Sequence, residues 1–232
     1  MEAVYLQPAV ILQYRQYRET SMLLDMFTRD YGIVSAIAKG VRKEKSRLAG
    51  ILQPFSLLTV SYLDKNELKV LIQAEFVNGF PLKRIALYCG FYVNELIQKM
   101  LHRSDPHPEL FIRYLKCLTD LAMEASIEET LRYFELDLLA ETGYGADLDM
   151  DYQTKTCVQS HLRYNFTYQF GVKADEEGIV TGLTLQKLTA NQTLNDTSLY
   201  EAKQLLRKML DCSLQGKTLK SREVLAKIIK HL

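Results

Sequence analysis

The chain has 232 residues, of which 47% are apolar and 25% are charged, and its formal net charge is +1. This balance is typical of a globular protein with a real core and excludes a chain that is disordered throughout. No run of about 18 apolar residues is present, so we expect no membrane-spanning helix and no membrane partner. The four cysteines form no C-x-x-C pair, which favours reduced thiols in the cytoplasm over disulfides or a zinc site.

The first 80 residues alternate apolar and polar positions in short runs separated by turns. Turn sequences lie at 29–32 and 64–67, and the runs predict five strands at 10–13, 22–26, 33–38, 57–63 and 68–74. Five short strands in a segment of this size are typical of a small antiparallel barrel. We expect residues 1–80 to form an OB-fold that binds DNA, although strand count alone equally allows an SH3-like barrel.

After Pro81 the apolar residues recur at spacings of three and four. They predict helices over residues 85–100, 110–121, 127–138, 199–210 and 224–229. Ser126 and Glu129 have the spacing of a capping box that opens the third helix. The expected fold class is therefore α+β, with an N-terminal five-stranded OB-fold β-barrel at residues 1–80 and an α-helical domain at 81–232. Alternation at 164–170 indicates a small β-rich insert in that domain, at about 146–182.

The sequence contains no arrangement that indicates catalysis or metal binding. Its histidines are isolated, and its cysteines do not lie at metal-ligand spacing. Gly216-Lys217-Thr218 is similar to the end of a phosphate-binding P-loop, but Asp211 stands where that motif needs glycine. We therefore expect no enzymatic activity, no cofactor and no metal ion.

Basic residues are concentrated near the two ends of the chain. Residues 1–80 carry ten Lys or Arg against eight Asp or Glu, residues 81–150 carry seven against twelve, and residues 151–232 carry twelve against eight. An acidic middle therefore separates two basic ends. The denser of two basic runs contains Lys39, Arg42, Lys43, Lys45 and Arg47, with Glu44 as its one acidic residue. The second run, near the C-terminus, contains Lys217, Lys220 and Arg222.

These clusters predict a surface that binds phosphate groups. Each cation that displaces a counterion from DNA adds affinity that falls with salt concentration. Arg15 and Arg18 add charge after the first strand. Tyr14 and Tyr17 beside them either stack on bases, pack against the barrel or cap the turn. No recognition helix with base-reading side chains is evident, so the expected binding tolerates many sequences. From the residues alone, solvated basic loops and a protein adaptor that holds acidic partners stay open as alternatives.

Short motifs spread over almost the whole chain resemble one family. They begin with Tyr-Arg-Glu-Thr-Ser and lie, in order, at residues 17–21, 27–32, 38–42, 52–55, 92–96, 134–136, 138–139, 143–145 and 216–223. Taken together they are similar to the bacterial DNA repair family RecO. The resemblance implies an N-terminal OB-fold followed by a helical domain with a small inserted subdomain.

The same resemblance implies a recombination mediator. Such proteins bind single- and double-stranded DNA, anneal complementary strands, and act with RecR to load RecA onto strands coated by single-strand-binding protein. It further implies that Arg132 contacts the acidic, apolar C-terminal tail of that coating protein. We expect a monomeric, cytoplasmic protein associated with the nucleoid.

The insert departs from the family pattern. Many members carry two C-x-x-C pairs there that hold zinc, whereas this chain has only Cys157. Because a structural zinc site needs four ligands, we expect none. Apolar packing is then expected to hold the insert together, with these aromatic side chains as candidates: Tyr164, Phe166, Tyr168 and Phe170.

The mechanism that we expect is electrostatic. Cations from both ends of the chain, among them Arg42, Lys43 and Lys220, are predicted to converge on one surface. That surface would neutralise the phosphates of two strands and bring the strands together. The energy of pairing would come from the strands themselves, without nucleotide hydrolysis.

Overall fold

The computed structural model describes residues 2–44, 46–64, 68–124 and 126–229. Lys45, a predicted DNA-binding residue, and residues 65–67 of a predicted turn lie outside the described residues. The strands are β1 Glu2–Tyr17, β2 Ser21–Thr28, β3 Gly32–Ala38, β4 Ser56–Asp64, β5 Leu68–Gly79, β6 Arg163–Thr167, β7 Gly171–Ala174 and β8 Val180–Thr181. The helices are α1 Arg84–Met100, α2 Pro108–Met123, α3 Ile127–Glu141, α4 Gly182–Thr189, α5 Asp196–Ser213 and α6 Lys220–Ile229.

Strands β1 to β5 close into a barrel in the order β1-β2-β3-β5-β4. All neighbouring strands are antiparallel except β3 and β5, which pair in parallel. Alternate side chains point inward and form one apolar core, which includes Ile11, Leu24, Met26, Leu58 and Val60. The predicted fold class, a five-stranded barrel followed by helices and a small sheet, is confirmed.

The first strand is much longer than the four residues predicted for it. It pairs with β2 on one edge and with β4 on the other, and its register shifts between Val4 and Gln7 and again between Ile11 and Gln13. Such bulges bend a strand and interrupt its alternation. Only the stretch around residues 10–13 therefore shows a clear apolar run in the sequence.

The chain forms two compact units, residues 1–124 with 219–232 and residues 125–218. The first unit contains the barrel with α1, α2 and α6. A buried polar link fastens its helices, because Asn94 donates to the carbonyl of Leu12 at 2.9 Å and accepts from the hydroxyl of Tyr114 at 2.7 Å. These three helices therefore belong to the same compact unit as the barrel. The predicted domain boundary at residue 80 stays a prediction.

In the second unit, α3 packs against α5. The predicted capping box of α3 is wrong. The Ser126 side chain makes no capping hydrogen bond, and Glu129 instead accepts from the backbone N–H of Leu194 at 2.7 Å. The side chains of Thr181 and Asn195 cap α4 and α5. None of the helices that the structure describes is long and apolar enough to cross a bilayer.

The insert contains a three-stranded sheet in the order β7-β6-β8. The side chains of Tyr164 and Phe166 are buried in it, as predicted. Tyr168 and Phe170 are 42% and 65% exposed, so neither is buried in the sheet, although the ring of Phe170 packs against that of Tyr152 with centres 5.4 Å apart. The reason is a turn in which the N–H of Phe170 donates to the carbonyl of Thr167, which ends the alternation of β6.

Candidate nucleic-acid interface

Two loops with basic residues meet at one end of the barrel. Strands β2 and β3 are antiparallel, with Met22 opposite Ala38, so the β1–β2 turn lies beside the segment that follows β3. Arg42 joins the two loops, because its backbone N–H donates to the carbonyl of Thr20 at 2.9 Å and its guanidinium donates to the carbonyl of Arg18 at 3.0 Å. The fold therefore brings together cations that are more than twenty positions apart in the sequence.

These loops enclose a surface depression of about 980 Å³, which we call the basic groove. Its charged lining residues are Arg18, Glu19, Lys39 and Lys43, and all four side chains are exposed. Gly40, at φ +70°, makes the turn in its wall. Three cations against one carboxylate make the groove attractive to an anion.

The predicted cations around the groove are not neutralised by acids. Within the described ranges, no carboxylate lies within ion-pair distance of these exposed residues: Arg15, Arg18, Lys39, Arg42, Lys43 and Arg47. Arg15 lies on β1, and Arg47 lies in the loop that leads to β4. Unpaired, solvated cations keep their full charge for a phosphate partner.

The two tyrosines beside these cations differ in exposure. Tyr17 is half-buried, and the guanidinium of Arg18 lies 5.2 Å from the centre of its ring. Tyr14 is 40% exposed. Packing therefore accounts for Tyr17, whereas part of the Tyr14 side chain is open to a partner.

The C-terminal cluster divides between the two compact units. Lys217 belongs to the second unit, whereas Lys220 and Arg222 begin α6 in the unit of the barrel. Lys220 is exposed, and the guanidinium of Arg222 lies 5.9 Å from the ring centre of Tyr92. Convergence of the two cation clusters on one surface stays a prediction.

Helix α6 is attached to α1 by Glu95. Its carboxylate accepts from the backbone N–H groups of Lys220 at 3.1 Å and Ser221 at 2.8 Å, and from the Ser221 hydroxyl at 2.6 Å. Burial by itself raises the pKa of Glu95, but these hydrogen bonds, with the Lys99 ammonium 3.6 Å away, hold that pKa below its ordinary value. Sequence reasoning missed this carboxylate, because a single Glu on a helix carries no local signal of a distant partner.

Arg132 lies on α3 and is only 7% exposed. Its Nη2 atom is 2.8 Å from the Glu135 carboxylate, and within the described part of the chain its Nε–H has no hydrogen-bond partner. Arg132 is therefore a buried, ion-paired side chain with one unused donor. Its predicted contact with a partner protein stays a prediction.

Among the described residues, no group of three or more His, Cys, Asp or Glu side chains is placed to hold a metal ion. Cys157 is exposed and Cys212 is half-buried, and both are free thiols. The basic groove offers hydrogen-bond donors and positive charge. Such a surface can bind and neutralise phosphate groups.

Two family profiles match the chain. The profile described as "Recombination protein O N terminal" matches residues 1–80, and that described as "Recombination protein O C terminal" matches residues 82–223.

Curated relatives match over nearly their full length. The chain is 39% identical over 235 residues to a protein named "DNA repair protein RecO" from Polynucleobacter necessarius subsp. necessarius, with 97% of this chain and 96% of the relative covered. Proteins of the same name from Methylococcus capsulatus and Haemophilus influenzae are each 39% identical. The first match covers 95% of this chain and 93% of the relative, and the second covers 94% of each.

Proposed function

Because this chain belongs to the RecO family of DNA repair proteins, a family of non-catalytic recombination mediators, we propose that it binds single- and double-stranded DNA and anneals complementary strands. With RecR it helps to load RecA onto single strands coated by single-strand-binding protein. It acts as a monomer in the cytoplasm, at the nucleoid.

The observation that carries this proposal is the basic groove. Arg18 in the β1–β2 turn and Lys39 and Lys43 after β3 line it as exposed cations, and Arg42 fastens these two segments together. A fixed cluster of solvated cations lowers the repulsion between two phosphate backbones that approach it. Annealing then needs no nucleotide, since the energy comes from base pairing.

The same proposal assigns to Arg132 a contact with the acidic tail of single-strand-binding protein. The support is its buried guanidinium, whose Nε–H has no hydrogen-bond partner among the described residues. A buried donor of this kind gains from a carboxylate partner. RecR is proposed as a partner from the family alone.

The test of the groove is a double charge reversal, Lys39→Glu with Lys43→Glu. Neither side chain makes an ion pair in the described structure, so the fold should persist. The matched control reverses two exposed lysines of the insert, Lys155→Glu and Lys173→Glu, with the same change in net charge.

Annealing of complementary oligonucleotides and DNA affinity are measured across a salt series. We expect the groove variant to lose affinity for DNA of every sequence. The slope of log Kd against log salt concentration should fall by about one for each phosphate contact removed, and the control should stay near the parent in both quantities. Equal annealing by the groove variant and the parent would refute this DNA surface. Absence of any salt-dependent DNA binding by the parent would favour a protein adaptor.

A further inference from the structure

A second depression lies beside the barrel, within the same compact unit as the basic groove. We call it the aromatic cleft. It has a volume of about 950 Å³, and β1, the loop before β4, α1 and α6 contribute to its walls, with these residues among its lining: Tyr14, Gln53, Tyr88, Phe91, Gln98 and Lys220. A volume of this size is within the range that holds a small ligand.

Three aromatic rings line the cleft without being buried in a core. Tyr14, Tyr88 and Phe91 are 40%, 36% and 42% exposed. Phe91 packs against Phe55, with ring centres 5.1 Å apart and ring planes tilted by 59°. Partly exposed rings in fixed positions are the usual platforms on which unpaired bases stack.

The polar lining favours a base over an apolar peptide side chain. The amide side chains of Gln13, Gln53 and Gln98 line the cleft, and an amide both donates and accepts, as the edge of a base does. Gln13 and Gln53 each use one N–H within the fold, to Asp25 at 2.8 Å and to the carbonyl of Ala49 at 2.9 Å, and each amide carries a second N–H and an acceptor oxygen. Lys99 and Lys220 are the cations of the lining, against the single carboxylate of Glu95. That carboxylate forms an ion pair with Lys99 at 3.6 Å, so the exposed Lys220 gives the lining its net positive charge for the backbone of a strand.

Strand β1 connects the cleft to the basic groove. Tyr14 lines the cleft, and Arg18, in the turn directly after the end of β1, lines the groove. Four residues of chain span at most about 14 Å, so the two positions lie close together. One flexible strand can therefore place phosphates in the groove and neighbouring bases in the cleft, whereas a duplex keeps the faces of its bases covered.

We propose that the aromatic cleft binds unpaired bases of single-stranded DNA by stacking, and that it gives this protein a preference for single strands. The inference rests on the proposed DNA-binding function and adds to it a site for bases. It assigns phosphate binding and base binding to different side chains.

The test compares three labelled probes of equal length: an oligothymidine, a strand with abasic sites in place of its bases, and a duplex. The variants are Tyr88→Leu and Phe91→Leu, in which leucine keeps apolar packing but has no ring face. The matched control is Phe76→Leu, a ring that is 55% exposed on β5 and outside the cleft. Thermal unfolding of each variant checks that the fold is kept.

We expect each cleft variant to raise the Kd for oligothymidine about tenfold and to leave the Kd values for the abasic strand and the duplex unchanged. The salt slope should also be unchanged, since no phosphate contact is lost. The control variant should match the parent with all three probes.

Oligothymidine binding that is equal in the parent and both cleft variants would overturn the inference while leaving the basic groove as a DNA surface. An acidic peptide is measured as a fourth probe. If the cleft variants lose affinity for it but not for oligothymidine, the inference is overturned in favour of a peptide occupant. A parent that binds none of the three probes in dilute buffer would end both this inference and the proposed function.

Discussion

The carboxylate of Glu95 accepts two hydrogen bonds from Ser221, one from the backbone N–H at 2.8 Å and one from the hydroxyl at 2.6 Å, although the residues are 126 positions apart. The backbone N–H of Lys220 adds a third at 3.1 Å. A carboxylate at the N-terminus of a helix also interacts favourably with the helix dipole. This contact fixes where α6, and with it Lys220 and Arg222, lies against α1.

Glu95→Gln is expected to loosen α6. The amide has one acceptor oxygen and no charge, so it cannot serve three donors, and hydrogen bonds to a charged group contribute about 1.5–3 kcal/mol each. Hydrogen exchange at Lys220 and Ser221 should become faster. Glu176→Gln, at an exposed position, is the control. Unchanged protection of α6 would show that Glu95 does not hold it.

The same contact should depend on pH. The folded-state pKa of Glu95 lies below its ordinary value, so the contribution to stability is complete above the pKa of the unfolded chain. It is lost as the pH falls through the lower, folded-state pKa. We expect the difference in unfolding free energy between parent and Glu95→Gln to shrink in acid, and a constant difference from neutral to acidic pH would contradict this.

Tyr114→Phe tests the buried polar link in the barrel's unit. The Tyr114 hydroxyl donates to Asn94 at 2.7 Å, and burial raises its pKa well above the ordinary value, so it stays a neutral donor. Removing it leaves the Asn94 oxygen buried without that donor, which costs about 1–3 kcal/mol. Urea unfolding measures the loss, and Tyr200→Phe, 65% exposed, is the control. Equal midpoints for both variants would contradict the expectation.

Short-range patterns in the sequence predicted the five strands of the barrel and most of the helices, because alternation and helical stripes report which face each segment buries. They missed α4, Gly182–Thr189. They did not predict contacts such as Glu95 with Ser221, since nothing local tells which distant helix end a carboxylate will meet. The turn at Tyr168 was missed because aromatic and polar residues keep alternating through it in the sequence, from 164 to 170. The glycine at position 171, which adopts φ +109° in the structure, was the available signal of a turn.

In the candidate site, too, local patterns were predicted from the sequence and long-range contacts were not. Basic residues near 39–47 were visible as a charge run, but the groove depends on their contact with Arg18 and Thr20, which follows from the pairing of β2 with β3. Sequence reasoning missed Tyr88 and Phe91 as site residues. Both lie off the apolar stripe of α1, and large aromatic residues on the outer face of a helix are a signal of a binding surface.

Arg132→Ala is expected to destabilise the second unit strongly. The guanidinium is paired with Glu135, and removing one partner of a buried ion pair costs about 3–5 kcal/mol. Lys203→Ala, which breaks a pair with Glu128 at 3.5 Å between half-exposed side chains, should cost less than about 1 kcal/mol. Similar losses in the two variants, measured by chemical unfolding, would contradict the assignment of a buried pair.

The double variant Arg132→Met with Glu135→Leu separates stability from partner binding. It replaces the buried pair by apolar side chains, so it should unfold at or above the denaturant concentration of the parent. If Arg132 contacts the tail of single-strand-binding protein, this stable variant should bind a tail peptide more weakly and naked DNA equally well. Full peptide affinity in the double variant would remove Arg132 from the contact.

Asp151 is expected to hold the insert in the place of a metal ion. Its carboxylate is 2% exposed and accepts from the N–H groups of Gln153 at 2.8 Å, Thr154 at 3.1 Å and Ala174 at 2.8 Å, so it ties a turn to β7. Burial raises the pKa of Asp151, but these hydrogen bonds outweigh it and keep the pKa below the ordinary value. Asp151→Asn should therefore cost about 1–3 kcal/mol at neutral pH and less in acid.

The measurement is urea unfolding with hydrogen exchange at Ala174, and Asp149→Asn, at an exposed position, is the control. Dialysis against EDTA should leave the Tm of the parent unchanged, since the turn is closed by a carboxylate and Cys157 is the only cysteine of the insert. A fall in Tm on chelation, restored by zinc, would show that a metal ion holds the insert. Equal stability of Asp151→Asn and the parent would show that apolar packing alone is sufficient.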